Sequence, residues 1–155
     1  NIPAPIGTIG TFYVLAVGWP GPAELTGAEF RIDGFPSAWV ATVTPNPQAT
    51  WYLGNPLQAG CNVAFGDCQR AGAVLLCTVN FQVWSELHDV PLAIRPPTWF
   101  CNPFCCVTWV LCDAPIYTML CVAPAEPAAY LNGSSDPCAT AVQPASWTRV
   151  KELYR

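Results

Sequence analysis

The ten residues Thr26–Phe35, TGAEFRIDGF, decide how the rest of the chain is read. Ala28, Phe30 and Ile32 alternate there with Glu29, Arg31 and Asp33. Successive side chains of an extended strand point to opposite faces, so the apolar groups fall on one side and the charges on the other. The stretch predicts a strand with one face in a core and one in water, closed by Gly34.

Working outward, the same period of two recurs. GTFYVLAVG (10–18) and WVATVTP (39–45) read as strands ended by glycine or proline. In AVLLCTVNFQVW (73–84), Leu75, Cys77, Val79, Phe81 and Val83 are expected on one face, opposite Thr78, Asn80 and Gln82. DVPLAIRPP (89–97) reads as an edge strand, because Pro91 has no N–H to give to a neighbour. CVTWVLC (106–112) and IYTMLCV (116–122) read as a hairpin turning at Asp113–Ala114–Pro115. TPNPQ, GNP, SELHD and NGSSDP punctuate the rest as loops. Only SWTRVKELYR (146–155) has helical spacing, with Trp147, Val150 and Leu153 on one side and Ser146 as N-cap. Some eight strands and one terminal helix predict an all-β fold. It is a disulfide-stapled antiparallel β-sandwich, immunoglobulin- or cohesin-like, with a short C-terminal helix, as one domain over 1–155.

Composition narrows the function. Charged residues are 10% of the 155, and the net charge is −4 with six basic residues scattered singly. With no basic patch, neither nucleic acid nor an anionic membrane surface is an expected partner. Apolar runs such as Tyr13–Val17 are too short to span a bilayer, so no membrane insertion is expected. Asn1 leads straight into IPAPIGTIGTFYV without a basic or apolar leader segment, while the chain holds nine cysteines and seventeen prolines. Disulfide-rich, loop-rich chains belong to oxidising compartments, which predicts a secreted protein whose leader has been removed. So few charges leave apolar surface uncovered on a lone monomer, which predicts assembly.

TGAEFRIDGFPSAWVA (26–41) followed by GAVLLCTVNFQV (72–83) resembles the strand pattern of cohesin-like and carbohydrate-binding-module β-sandwiches. GCNVAFGDCQ (60–69), CDAPIYTMLCV (112–122) and the closing WTRVKELYR (147–155) resemble uncharacterised secreted β-sandwich proteins of environmental bacteria. The resemblance implies an extracellular β-sandwich and brings no activity with it.

Five of the nine cysteines lie in Phe100–Cys121. Zinc sites need paired ligands at close spacing. Only Cys101 and Cys105 have it, and the single histidine, His88, is remote. There is no C-x-x-C motif, so disulfides are favoured over metal, and no cofactor is expected. Cys105 and Cys106 would point to opposite faces of a strand and choose different partners. The hairpin puts Cys106 opposite Cys121. Proximity then suggests Cys101 with Cys105, Cys61 with Cys68 around NVAFGD, and Cys112 with Cys138. Cys77, mid-strand among apolar residues, is expected to be a free buried thiol rather than an intersubunit bridge.

Any catalytic triad would have to use His88, which sits in the polar SELHD loop and reads as a solvated histidine. Glu24, Glu29, Asp33, Asp67, Asp89 and Asp113 fall at turns or on polar strand faces, and nothing pairs two of them for glycosidase chemistry. Calcium at Asp33, Asp67 or Asp136 has no loop motif behind it. Trp19, Trp51, Tyr52 and Trp99 are flanked by loop residues and could form a sugar platform; core packing or subunit contact is the commoner role. Asn132-Gly133-Ser134 matches the N-glycosylation sequon.

These features predict a non-catalytic extracellular structural protein, a subunit of a homopolymeric fibre or surface assembly, with itself as partner. A secreted carbohydrate-binding or cohesin-like adhesion module, with a glycan as partner, is the alternative. For assembly the candidate residues are Ile2, Ile6, Ile9, Phe12 and Tyr13 in the proline-then-apolar N-terminal segment. That segment reads either as a strand donated to a neighbour's sheet edge, giving filaments, or as the first strand of its own sandwich.

Overall fold

The computed structural model describes residues 2, 4–19, 24–70, 72–99, 106–113, 116–122 and 127–133. These residues form ten strands: β1 (Ile9–Val17), β2 (Glu24–Asp33), β3 (Val40–Pro45), β4 (Ala49–Asn55), β5 (Gly60–Gln69), β6 (Ala73–Gln82), β7 (Val90–Arg95), β8 (Val107–Asp113), β9 (Ile116–Val122) and β10 (Ala129–Leu131). The helix expected over 146–155 lies outside the described residues, as do Cys101, Cys105 and Cys138.

The strands make two antiparallel sheets. A small sheet has the order β1-β6-β3, and a larger one runs β10-β7-β2-β5-β4 with β8 and β9 attached. β2 organises the larger sheet. Along one side it pairs with β5; along the other, residues 24–29 pair with β8 and residues 31–33 with β7. The larger sheet therefore ends in two wings, β7–β10 and β8–β9, side by side beyond β2. Ala28, Phe30 and Ile32 point from β2 into the core between the sheets, as the alternation requires. They meet Val14, Ala16, Val74, Leu76 and Val79 of the small sheet. A second cluster closes one end around Trp39, Phe81, Val83, Leu92 and Leu131. Its aromatic centre is Trp39 stacked on Phe81, with Phe35 edge-on to both rings and Phe12 tilted against Phe81.

Three readings of the sequence need correction. GCNVAFGDCQ is a strand rather than a cysteine-closed loop, and with ATWYLGN it forms the β4–β5 hairpin. β7 is not an edge strand, since it lies between β10 and β2. Pro91 is tolerated because it stands opposite Tyr130 of β10, two residues short of the β2 pairing that begins at Ala93. Leu75 is not on the core face. The β1–β6 register shifts between Val14 and Leu15, so Leu76 and Val74 point inward ahead of Cys77.

Ile2 and Ala4 belong to their own sandwich. Ile2 bridges Leu131, Ala4 is fully buried, and Asn132 clamps the segment in place. The Asn132 Oδ1 accepts from the Ala4 N–H, and its Nδ2 donates to the carbonyls of Ala4 (2.7 Å) and Leu87 (2.9 Å). Its φ of 47° is left-handed, a conformation asparagine tolerates better than most residues. Replacing Asn132 with alanine should lower unfolding stability by about 2–4 kcal/mol, from bonds lost and buried groups left unpaired. Urea titration checks it, and a midpoint unchanged from wild type would refute the clamp.

Among the described residues, two disulfides hold the larger sheet. Cys106–Cys121 ties β8 to β9 across their hairpin, with the Cα atoms 5.5 Å apart. Cys68–Cys112 joins β5 to β8 where β2 begins, with Cα atoms 6.0 Å apart. The expected Cys61–Cys68 bridge does not form. Seven residues of extended strand hold the pair roughly 23 Å apart, against a disulfide limit of about 7 Å between Cα atoms. Cys112, taken by Cys68, is not available to Cys138. Non-reducing peptide mapping should recover both observed bridges, and breaking either one should cost about 2–5 kcal/mol.

Candidate functional site: an uncharged sheet and its open groove

Charge divides between the sheets. Among the described residues, every charged residue that lies in a strand belongs to the larger sheet: Glu24, Glu29, Arg31, Asp33, Asp67, Arg95 and Asp113. Several are paired on its outer face. Arg31 bonds Asp33, Arg70 reaches Glu24 at 2.8 Å, and Glu29 accepts from Asn62. β1, β6 and β3 contain no charged residue at all.

The outer face of this small sheet is a mixture of exposed apolar groups and neutral polar ones. β1 contributes Ile9 (77% exposed), Tyr13 (65%), Leu15 (51%) and Val17 (51%), and β3 contributes Val40 (59%). Thr11, Thr42, Thr44 and Asn80 lie among them, with a Thr11–Asn80 hydrogen bond of 2.8 Å across the β1–β6 pair. Edge strands in lone proteins are commonly blunted by charge or proline. β1 has neither. At the second residue of β1, a Cβ on Gly10 would overlap the Phe81 ring, so glycine lets the start of the strand lie directly on the aromatic cluster.

Below the β1 edge lies an apolar cavity of about 770 Å³. Val14, Leu15 and Val17 form one wall; Phe30, Ile94, Trp109, Leu120 and Val122 form the floor. The floor is the inner face of the larger sheet where its wings run on past β1.

The residues expected at the assembly site separate accordingly. Ile6, Ile9 and Tyr13 are exposed, whereas Ile2 and Phe12 pack into their own chain's second cluster. Leu15, Val17 and Val40 were not picked out in the sequence, although the missing charge in their three strands was there to be read. Of the aromatic candidates, Trp51 and Trp99 are exposed, Trp19 packs edge-on to Trp109, and Tyr52 turns into the core. The four do not form one platform. The amide nitrogen of Asn132, the sequon acceptor, is already committed to two carbonyls.

No metal-ligating cluster of three or more His, Cys, Asp or Glu occurs among the described residues. His88 is exposed and lies 3.2 Å from Glu86. No helix among the described residues is long and apolar enough to cross a membrane. No protein-family model, curated protein or solved structure matches the chain.

Cys61 and Cys77 are free thiols, both fully buried in the core, one from each sheet. Cys77 was expected there; Cys61 was not. The Tyr52 hydroxyl, buried without an oxygen or nitrogen partner, meets the Cys61 thiol. Burial pushes Cys61 up from the ordinary 9.0 to about 12, with the neighbouring Cys77 adding to it. Burial alone pushes Cys77 to about 12, and burial, with Cys61 and Cys77 adding to it, drives the Tyr52 phenol upward as well. The folded state therefore holds these protons more tightly than the unfolded chain. The associated stability is intact below pH 9 and declines as pH rises from 9 towards 12. At pH 8 neither thiol should react with iodoacetamide in the native protein, and both should react in denaturant. Rapid native alkylation of either would contradict this burial.

Proposed function

We propose that this protein is a non-catalytic structural subunit of a homopolymeric extracellular assembly. The observation that carries the reading is the charge partition: one sheet keeps all the strand charge, and the other exposes Ile9, Tyr13, Leu15, Val17 and Val40 with no charge among them. A surface of that kind costs solubility unless a partner covers it. Disulfides at Cys68–Cys112 and Cys106–Cys121 fit an oxidising, extracellular location for such a subunit.

The exposed Trp51 and Trp99 support a second reading, a glycan-binding adhesion module. Trp99 lies against Gly54 of β4, close to Trp51 in the chain. That reading expects a monomer whose retention in polysaccharide gels falls when Trp51 is changed to alanine.

Light scattering and electron microscopy of the purified protein separate the two. Wild type should form large assemblies that persist from about 0.05 to about 0.5 M salt, because few charges are present to be screened. Tyr13→Lys should release monomer with unchanged circular dichroism. A wild type that remains monomeric at high concentration would refute the assembly reading.

A further inference from the structure

The outer face of the larger sheet, away from the uncharged sheet, carries a depression of about 500 Å³. Its shape follows from the strand registers. One row of residues crosses five strands: Trp51 of β4, Ala64 of β5, Gly27 of β2, Val110 of β8 and Met119 of β9. Residues directly opposite in antiparallel strands share a face, so this row is bulky at its ends and flat in the middle. Trp51 and Met119 are both well exposed, and four strand spacings set them roughly 19 Å apart. A Cβ on Gly27 would come within 3.0 Å of the Val63 carbonyl oxygen, so the floor is held at the level of the backbone. The register of β2 shifts here against both β5 and β8, a bulge that leaves Thr26 at the rim. The neighbouring row is polar, with Asn62, Glu29 and Thr108 side by side. Asn62 Nδ2 donates to Glu29 Oε1 at 2.5 Å. That bond fixes both side chains and leaves Glu29 Oε2 and Asn62 Oδ1 as acceptors along the trough.

We propose that this trough binds a neutral oligosaccharide, laid across the strands from Trp51 towards Met119. The inference rests on the glycan reading of Trp51 above and gives it a site. It does not depend on assembly, since the small sheet lies on the opposite side of the sandwich. A sugar ring is apolar on its C–H faces and carries hydroxyl donors around its rim. It is held where an aromatic plane and fixed acceptors stand side by side. Trp51 supplies the plane, and Glu29 and Asn62 supply the acceptors. Hydrogen bonds to an ionised carboxylate are about twice as strong as neutral ones, so Glu29 is the main anchor. Glu29 is also the one charged residue in the described lining, which sets the charge of the ligand. An acidic sugar would be repelled, and a neutral one is not. The volume suits such a ligand, since small-molecule sites span about 300–1,000 Å³. Strands rather than loops carry every one of these groups, so the site is formed before the sugar arrives.

Saturation-transfer-difference NMR tests this on the wild-type protein, because it reads binding to monomer and assembly alike. The neutral probes are cellohexaose, xylohexaose and mannohexaose, and hexagalacturonate is the anionic one. At least one neutral hexasaccharide should receive saturation, strongest at its ring C–H protons, and hexagalacturonate should receive none. Ala64→Leu fills the floor while leaving Trp51 and Glu29 in place, and should weaken binding by about tenfold or more. Glu29→Gln keeps the shape of the side chain and removes its charge, and should also weaken binding by about tenfold. Both should keep the circular dichroism of wild type. Met119→Ser, at the exposed far end, is a further trough variant should Ala64→Leu fold poorly, and it should weaken binding too. If Trp51→Ala abolishes binding while the trough variants bind as wild type does, the trough is overturned and the glycan reading stands. Hexagalacturonate bound as tightly as the neutral sugars would overturn it as well. So would displacement of the sugar by tetramethylammonium, a cation suited to the same tryptophan and carboxylate. If no hexasaccharide receives saturation, the glycan reading itself fails and takes the trough with it.

Discussion

The alternation of Ala28, Phe30 and Ile32 with Glu29, Arg31 and Asp33 along β2 is the constraint on which the structure depends. A slip of one residue would turn three charges into the core and three apolar groups into water. Because β2 pairs with β5 on one side and with β7 and β8 on the other, its orientation sets that of the whole larger sheet. The apolar floor under the small sheet and the paired charges on the far side both follow from it. So does the width of that floor, since one long strand carries two wings.

A sandwich with one charged and one uncharged outer face is not an economical design for a free monomer. Threonine, asparagine and glutamine between Ile9, Tyr13, Leu15 and Val40 keep the small sheet wettable without making it repel another copy. Charges on β1 or β3 would blunt the edges and discourage pairing.

The cysteines show how covalent and packing roles diverge within one fold. Cys68–Cys112 and Cys106–Cys121 brace β8, which among the described residues pairs with the rest of the larger sheet through β2 and carries β9 as its outer neighbour. They fix the wing that floors the groove. Cys61 and Cys77, at the centre of the core, act as small apolar groups whose protons burial retains. The same side chain is a staple at the sheet's margin and filler between the sheets.

Local pattern was enough to find most strands and the faces of β2, because period-two alternation is a property of a few consecutive residues. It found the Cys106–Cys121 bridge but not its register, since Cys121 stands opposite Thr108 and the bridge runs diagonally from Cys106, two residues along. It failed for β4 and β5, where glycine, asparagine and aromatic residues imitate a loop and only pairing, β4 with β5 and β5 with β2, makes them strands. It failed again at Leu75, where a bulge reverses the parity of the strand. By itself the sequence determined a two-sheet, disulfide-bearing β fold with too little charge to coat it. Which sheet lacks the charge, which thiols stay free, and where the floor outruns the roof were decided by tertiary structure. Those properties depend on strands meeting across tens of residues of chain, and no local period encodes such contacts.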